Sequence, residues 1–129
     1  MPLIQISLME GKSSEYIQAL ADGVHEALQA AWKIPHNDRF QMITEHKKSH
    51  FMIDKTIFNV NRSDDVVVIY ITSIPRSQEM KEALYQKLTD ILSKNPKIRK
   101  EDIFVSIVNN TPADWSFGNG IAQLLQGKI

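Results

Sequence analysis

A proline directly behind the initiator methionine is the first residue of this chain with unusual chemical capacity. Met before a small residue is usually removed after synthesis, and its removal leaves Pro2 with a free secondary amine at the chain end. An α-amino group titrates near ~8, and burial against apolar groups or a nearby cation lowers that value toward neutrality. A neutral amine of this kind is a competent general base. A plainer reading stands beside it: Pro2 opens a strand, where a missing N–H is tolerated. Arg76 follows a strand and Pro75 and precedes Ser77, the position where a βα turn opens a helix. A guanidinium there either grips a carboxylate in bidentate fashion or simply faces water. Trp115-Ser116-Phe117 lies in a nonperiodic stretch with Gly and Asn; it either walls an apolar pocket or covers a core edge or subunit seam. Other patterns carry less. His46 and His50 have i, i+4 spacing, but they sit at a strand end and lack the Glu of a zinc-protease motif. His25 lies beside an apolar helical stripe and reads as a packed histidine, and Gly118-Asn119-Gly120 lacks the third Gly and the strand-to-helix setting of a dinucleotide loop.

Composition narrows the chemistry further. The 129 residues include 15 basic and 15 acidic side chains and no Cys. Net charge is zero, so no long-range field steers the chain onto nucleic acid or an anionic membrane, and any specificity belongs to a local site. Without Cys there is no disulfide, thiol nucleophile or thiolate metal site, which suits a reducing compartment. The longest wholly apolar run, Val66 to Ile71, falls far short of the roughly 20 residues a membrane span needs. The start, Met1-Pro2-Leu3-Ile4-Gln5, has no basic n-region and does not read as a signal peptide, so a cytoplasmic location is expected.

The elements that must position these residues follow from periodicity. Ile4, Ile6 and Leu8 alternate with Gln5 and Ser7, the period of a strand with one buried face. Ser13 or Ser14 can cap a helix whose stripe runs through Ile17, Leu20, Ala21, Val24, Ala27, Leu28 and Ala31 and is stopped by Pro35. Arg39 to Glu45 reads as a strand, and Phe51-Met52-Ile53 as an edge strand. The second half repeats the grammar: Val66 to Thr72 as a central strand, Ser77 as a cap, a stripe from Met80 to Leu92, a stop at Asn95-Pro96 and a strand from Ile103 to Val108. Equivalent positions are offset by 63 to 64 residues. The expected architecture is one α+β domain, 1–129, made of a βαβ unit over 2–54, a second over 65–109 and a C-terminal segment over 110–129. Each unit pairs its strands in parallel through a right-handed crossover. Side by side they form a four-stranded mixed sheet with two helices on one face, and the apolar residues of the other face call for a self-complementary assembly, most simply a closed ring.

Several of these residues join into one pattern. Pro2 at the head of the first strand, the stretch Ile34 to Gln41, Pro75-Arg76 with Glu79-Met80-Lys81 after it, and Asp114-Trp115-Ser116-Phe117-Gly118 together resemble the tautomerase superfamily, in the branch around malonate semialdehyde decarboxylase. The resemblance spans nearly the whole chain. It implies a tautomerase-like βαβ-repeat subunit assembled as a homotrimer, with the N-terminal proline at the base of each pocket, no metal and no organic cofactor. Carried over position by position, Pro2 is the catalytic acid or base, Asp38 the polar partner that positions water or tunes the amine, and Arg76 the group that binds the substrate carboxylate. Trp115, Phe117, Leu124 and Ile129 form the apolar wall. One departure matters: the decarboxylase pattern has Arg-Pro-Arg at the end of the third strand, and here the stretch is Ile74-Pro75-Arg76.

One guanidinium has one job. Two cations near a 3-oxo acid hold its carboxylate and also polarise its carbonyl, an effect commonly worth several kcal/mol in a dry site. The function expected first is therefore keto-enol tautomerisation of a 2-oxo acid, a small-molecule carboxylate, with Pro2 moving the proton. The alternatives are a decarboxylase or hydratase acting on a short 3-oxo or unsaturated acid, and a noncatalytic trimeric binding protein.

Overall fold

The structure, a computed structural model, describes residues 1–127. Ile129, expected in the pocket wall, lies outside the described residues. Six main elements run in the order β1 (Leu3–Met9), α1 (Ser14–Trp32), β2 (Gln41–His46), β3 (Val67–Ser73), α2 (Gln78–Leu92) and β4 (Ile103–Asn109). The four strands make one sheet in the order β2-β1-β3-β4. Pairing is parallel within each half (β1 with β2, β3 with β4) and antiparallel where the halves meet at β1 and β3. This is the mixed sheet expected of two βαβ units laid side by side.

Both helices start where the sequence places their caps. The Ser13 side chain accepts from Tyr16 N and the Ser77 side chain from Met80 N, each relieving one of the donors a helix start leaves unpaired. α1 stops at Lys33, whose backbone turns left-handed with its N–H on the Gln29 carbonyl, before Pro35 is reached. The helices cover one face of the sheet. Ile4, Ile6, Leu8, Val67, Ile69 and Ile71 from β1 and β3 are buried against Leu20, Val24, Leu28, Leu84, Leu88 and Leu92. Each such side chain contributes roughly 1.5–3 kcal/mol by leaving water. Gly23 lets α2 pack close against α1: a Cβ there would stand 2.7 Å from Leu92 Cδ2.

The opposite face carries Met42, Tyr70, Phe104 and Val108, all exposed. Asp102, fully buried, ties the connector between the halves by accepting from Ser63 N and Ser63 Oγ, both at 2.7 Å. Among the described residues no helix is long and apolar enough to cross a membrane.

Two expectations need correction. β2 begins at Gln41, because Arg39 is drawn away from the ladder to α1, with its guanidinium 2.7 Å from Asp22. Phe51-Met52-Ile53 is not a strand. The chain turns through Lys48–His50 and again at Ile57–Asn59, and the Asp54 carboxylate captures Thr56 N and Ile57 N at 2.9 and 2.7 Å. That side-chain competition bends the backbone before a ladder can form.

Candidate active site

The chain end lies where β1 meets the turn leading into β2. Ile4 N donates to the Phe40 carbonyl at 2.9 Å, which sets the start of β1 beside the segment Pro35 to Phe40. Within that segment Asp38 N donates to the Pro35 carbonyl at 3.0 Å, and His25 of α1 reaches across to the His36 carbonyl at 2.8 Å. A carbonyl only accepts, so His25 Nε2 carries the hydrogen. The turn so held aims Asp38 inward, where its side chain is almost wholly buried.

Pro2 is buried and does not itself line the pocket beside it, whereas Met1, in front of it, does. The Met1 amine donates to Asp38 Oδ2 at 2.5 Å, while Asp38 Oδ1 is buried with no hydrogen-bond partner among the described residues. Burial lowers the amine below its ordinary value near 8; the hydrogen bond and charge of Asp38 oppose that fall, and the positive charge of Arg76 adds to it. Amine, carboxylate and guanidinium thus act on one another electrostatically.

Arg76 comes from the turn between β3 and α2. Its Nε donates to Ser73 Oγ at 3.3 Å, and its guanidinium carbon lies 4.9 Å from the centroid of the Trp32 ring. Trp32 is fixed in turn by its indole N–H on the Met80 carbonyl at 2.9 Å. Burial works to lower the Arg76 pKa and Asp38 works to raise it, with burial the larger effect. A guanidinium still stays charged at working pH.

The wall is aromatic. A pocket of about 340 Å³ is lined by Met1, Pro35, Asn37, Asp38, Phe40, Phe117 and Gln123. Phe40 and Phe117 face each other with centroids 5.9 Å apart, and Trp115 stacks behind Phe117 at 5.4 Å and 16°. Trp115 is anchored by its indole N–H on Asn110 Oδ1 at 2.6 Å. Asp114 has a local task, accepting from Thr111 N and Oγ1 to close the turn that leads into the aromatic pair.

Of the residues singled out from the sequence, Asp38 and Phe117 line the pocket, Arg76 acts electrostatically on the same charges, and Trp115 backs the wall. Leu124 is half-buried in the turn Gln123–Gln126 and does not line the pocket; its neighbour Gln123 does. Phe40, Asn37 and Gln123 were not assigned to the site from sequence. Phe40 sits two residues from Asp38 and was legible as a strand residue only, while Gln123 has no signal in type or spacing. His46 is spent in stacking on Phe51, with centroids 5.3 Å apart, and His50 is exposed. Among the described residues no three His, Asp or Glu side chains group to hold a metal ion.

An N-terminal strand that begins beside a recess holding a carboxylate and an aromatic wall, with a guanidinium whose charge acts on the chain-end amine, on a two-unit βαβ scaffold, defines a class. Two family models described as tautomerase enzyme match the chain, one over residues 38–118 and one over residues 2–61, and the chain belongs to the tautomerase family. It is 39% identical to probable tautomerase YrdN of Bacillus subtilis (strain 168), over all of both chains. Solved structures of wild-type, mutant and inactivated malonate semialdehyde decarboxylase share 35% identity with a TM-score of 0.94, covering 98% of each chain. Within the family the chain falls in the malonate semialdehyde decarboxylase-like branch. A fused 4-OT symmetric trimer, 17% identical over 97% of this chain and 98% of its own, shares the fold with a TM-score of 0.79.

Proposed function

We propose that, with Met1 removed, Pro2 is the general base and acid of a cofactor-independent keto-enol tautomerase acting on a 2-oxo acid. The observation that carries this reading is the chain terminus itself: an amine seated in a part-apolar recess, hydrogen-bonded to Asp38 and lowered by burial and Arg76. One residue shorter, the terminal nitrogen stands within about 3.6 Å of the place Met1's amine occupies, because N–Cα, Cα–C and C–N bonds separate successive nitrogens. Met1 is part of the pocket lining, so its loss also opens space for substrate.

In the proposed step Pro2 nitrogen takes the enol hydroxyl proton, the C–O bond becomes the carbonyl, and the carbon–carbon double-bond electrons take a proton at C3 from the Pro2 ammonium. Atoms and electrons balance with no oxidant and no metal. Arg76 holds the carboxylate, Asp38 supports the protonated amine between the two transfers, and Phe40 and Phe117 hold the tail. Positioned proton transfer of this kind commonly contributes 10²–10⁴-fold. Ultraviolet measurement of enol ketonisation by wild type and Pro2→Ala tests it: a loss of at least about a hundredfold is expected, and equal rates remove the proposal.

Likeness to malonate semialdehyde decarboxylase over nearly the whole chain supports a second reading, decarboxylation or hydration of a short 3-oxo or unsaturated acid. Ile74 argues against efficient decarboxylation, since a single cation must both bind the carboxylate and polarise the carbonyl. Carbon dioxide release from malonate semialdehyde by wild type and Ile74→Arg tests the decarboxylase part of the second reading: release by neither variant argues against it.

A homotrimer is part of the proposal. Support comes from the exposed Met42, Tyr70, Phe104 and Val108 on the uncovered sheet face and from the trimer formed by the fused 4-OT relative. Light scattering then reads three times 14.7 kDa. The cytoplasmic location proposed rests on the composition, which suits a reducing compartment.

A further inference from the structure

His25 is a buried polar side chain of α1 that the proposed reaction does not use. Its Nε2 donates to the His36 carbonyl at 2.8 Å, and its ring meets the exposed His36 ring with centroids 5.8 Å apart, tilted by 58°. The carbonyl it holds has a particular place in the chain. Asp38 N donates to the Pro35 carbonyl at 3.0 Å, so residues 35–38 form a β-turn whose central peptide joins His36 to Asn37.

A central turn peptide has two orientations, related by a flip. In one the third residue keeps a negative φ; in the other that φ is positive, a conformation Gly and Asn accept. The third residue here is Asn37, which tolerates both, and it does not take the positive φ. Local sequence therefore leaves the flip open, and the bond from His25 to the His36 carbonyl selects one side of it. Beyond the turn, the chain is tied to α1 separately, by Arg39 on Asp22 at 2.7 Å and by Gln41 Nε2 on the Ala21 carbonyl at 2.8 Å. The two residues that follow the flipping bond, Asn37 and Asp38, both line the pocket.

We infer that His25 is a positioning residue of the site: by holding the His36–Asn37 peptide in one orientation it fixes the direction from which the Asp38 carboxylate meets the chain-end amine. Asp38 Oδ2 accepts from that amine, and Oδ1 is buried with no partner among the described residues, so the carboxylate has no second bond of its own to set its angle. Its angle is set by the backbone that carries it. Arg76 stands on the turn between β3 and α2, held by Ser73, and is not touched by the flip.

The inference deepens the tautomerase reading by naming a residue that tunes its base, and for turnover it rests on that reading; the amine is read without turnover. In the chain beginning at Pro2, isotope-labelled at proline nitrogen, NMR follows the titration of the terminal nitrogen for wild type, His25→Phe, His25→Asn, His25→Gln and His36→Ala. Phe keeps a ring and has no donor, Asn has an amide too short to reach, and Gln carries its N–H about as far out as the imidazole does. His36→Ala removes the ring contact and keeps the backbone carbonyl. Asp38 raises the amine, so a misaligned carboxylate lowers it. Expected is a fall in the titration midpoint of about half a pH unit or more for His25→Phe and His25→Asn, with His25→Gln and His36→Ala titrating as wild type does. An unmoved midpoint in the Phe and Asn variants, a fall in His25→Gln as large as theirs, or the same fall in His36→Ala overturns the inference. Should the Phe variant not fold, the Asn and Gln pair decides between the same outcomes. Imidazole nitrogen shifts of wild type give a check that needs no variant: hydrogen on Nε2 of neutral His25 is expected, and hydrogen on Nδ1 instead overturns the inference. If the titrations are as expected but wild type does not ketonise a 2-oxo acid enol, the proton-transfer reading fails and the positioning role stands.

Discussion

Replacing Arg76 by alanine should raise KM for a 2-oxo acid enol far more than it lowers kcat. The guanidinium is half-buried, held by Ser73 Oγ at 3.3 Å and laid over Trp32 at 4.9 Å, so it is oriented before any substrate arrives. Hydrogen bonds to a charged partner are worth about 1.5–3 kcal/mol, and each 1.4 kcal/mol is tenfold, which places the KM increase at about 10- to 150-fold. Arg76→Lys keeps the charge but not the planar fork or the fit over Trp32, a contact worth about 0.5–1 kcal/mol at a partly exposed site. It should therefore fall between wild type and alanine. A second consequence concerns pH. Arg76 is among the influences that lower the terminal amine. Deleting it raises the amine pKa, and because the base works unprotonated, the acidic limb of the kcat/KM profile moves to higher pH. The assay is ketonisation followed in the ultraviolet across pH, with thermal unfolding as a control for the uncovered Trp32. A variant with KM within twofold of wild type and an unmoved acidic limb would refute the assignment of the carboxylate to Arg76.

Three further outcomes are expected. Asp38→Asn removes the charge that raises the terminal amine, so the amine pKa falls and the acidic limb moves to lower pH, opposite in sign to Arg76→Ala; a pH–rate profile of the variant checks it. Asp102→Ala leaves Ser63 N without its buried acceptor and loosens the connector between the halves, a destabilisation of about 3 kcal/mol measurable by urea unfolding. Phe104→Asp places a charge on the uncovered sheet face and should shift the assembly toward monomer by light scattering while leaving far-ultraviolet circular dichroism unchanged.

Much of the scaffold was readable because it depends on short periods. Ile4, Ile6 and Leu8 alternate, and Ser13 and Ser77 stand immediately before their helical stripes; both signals are local and both match the elements formed. The misreadings occur where a side chain outcompetes the backbone ladder. Asp54 captures two backbone donors beside the expected edge strand, and Asp22 draws Arg39 off the start of β2. The site divides in the same way. Pro2, Arg76 and the aromatic pair were visible as unusual residues in unusual positions, and Asp38 through the family resemblance. The meeting of Asp38 with a chain end 37 positions away depends on a tertiary contact that no window along the sequence contains. At the C-terminal wall the one-residue difference between Leu124 and Gln123 is set by a short turn, whose facing direction a nonperiodic segment does not encode.

The central claim is that a free proline nitrogen moves the proton. Its most direct test is the ketonisation rate of the chain beginning at Pro2 against that of the same chain carrying one non-removable residue in front of it, with intact mass verifying each terminus. Extension converts the amine into an amide with no basic lone pair, so the account predicts a loss of about a hundredfold or more with folding and assembly unchanged. Equal rates from the two chains would contradict it.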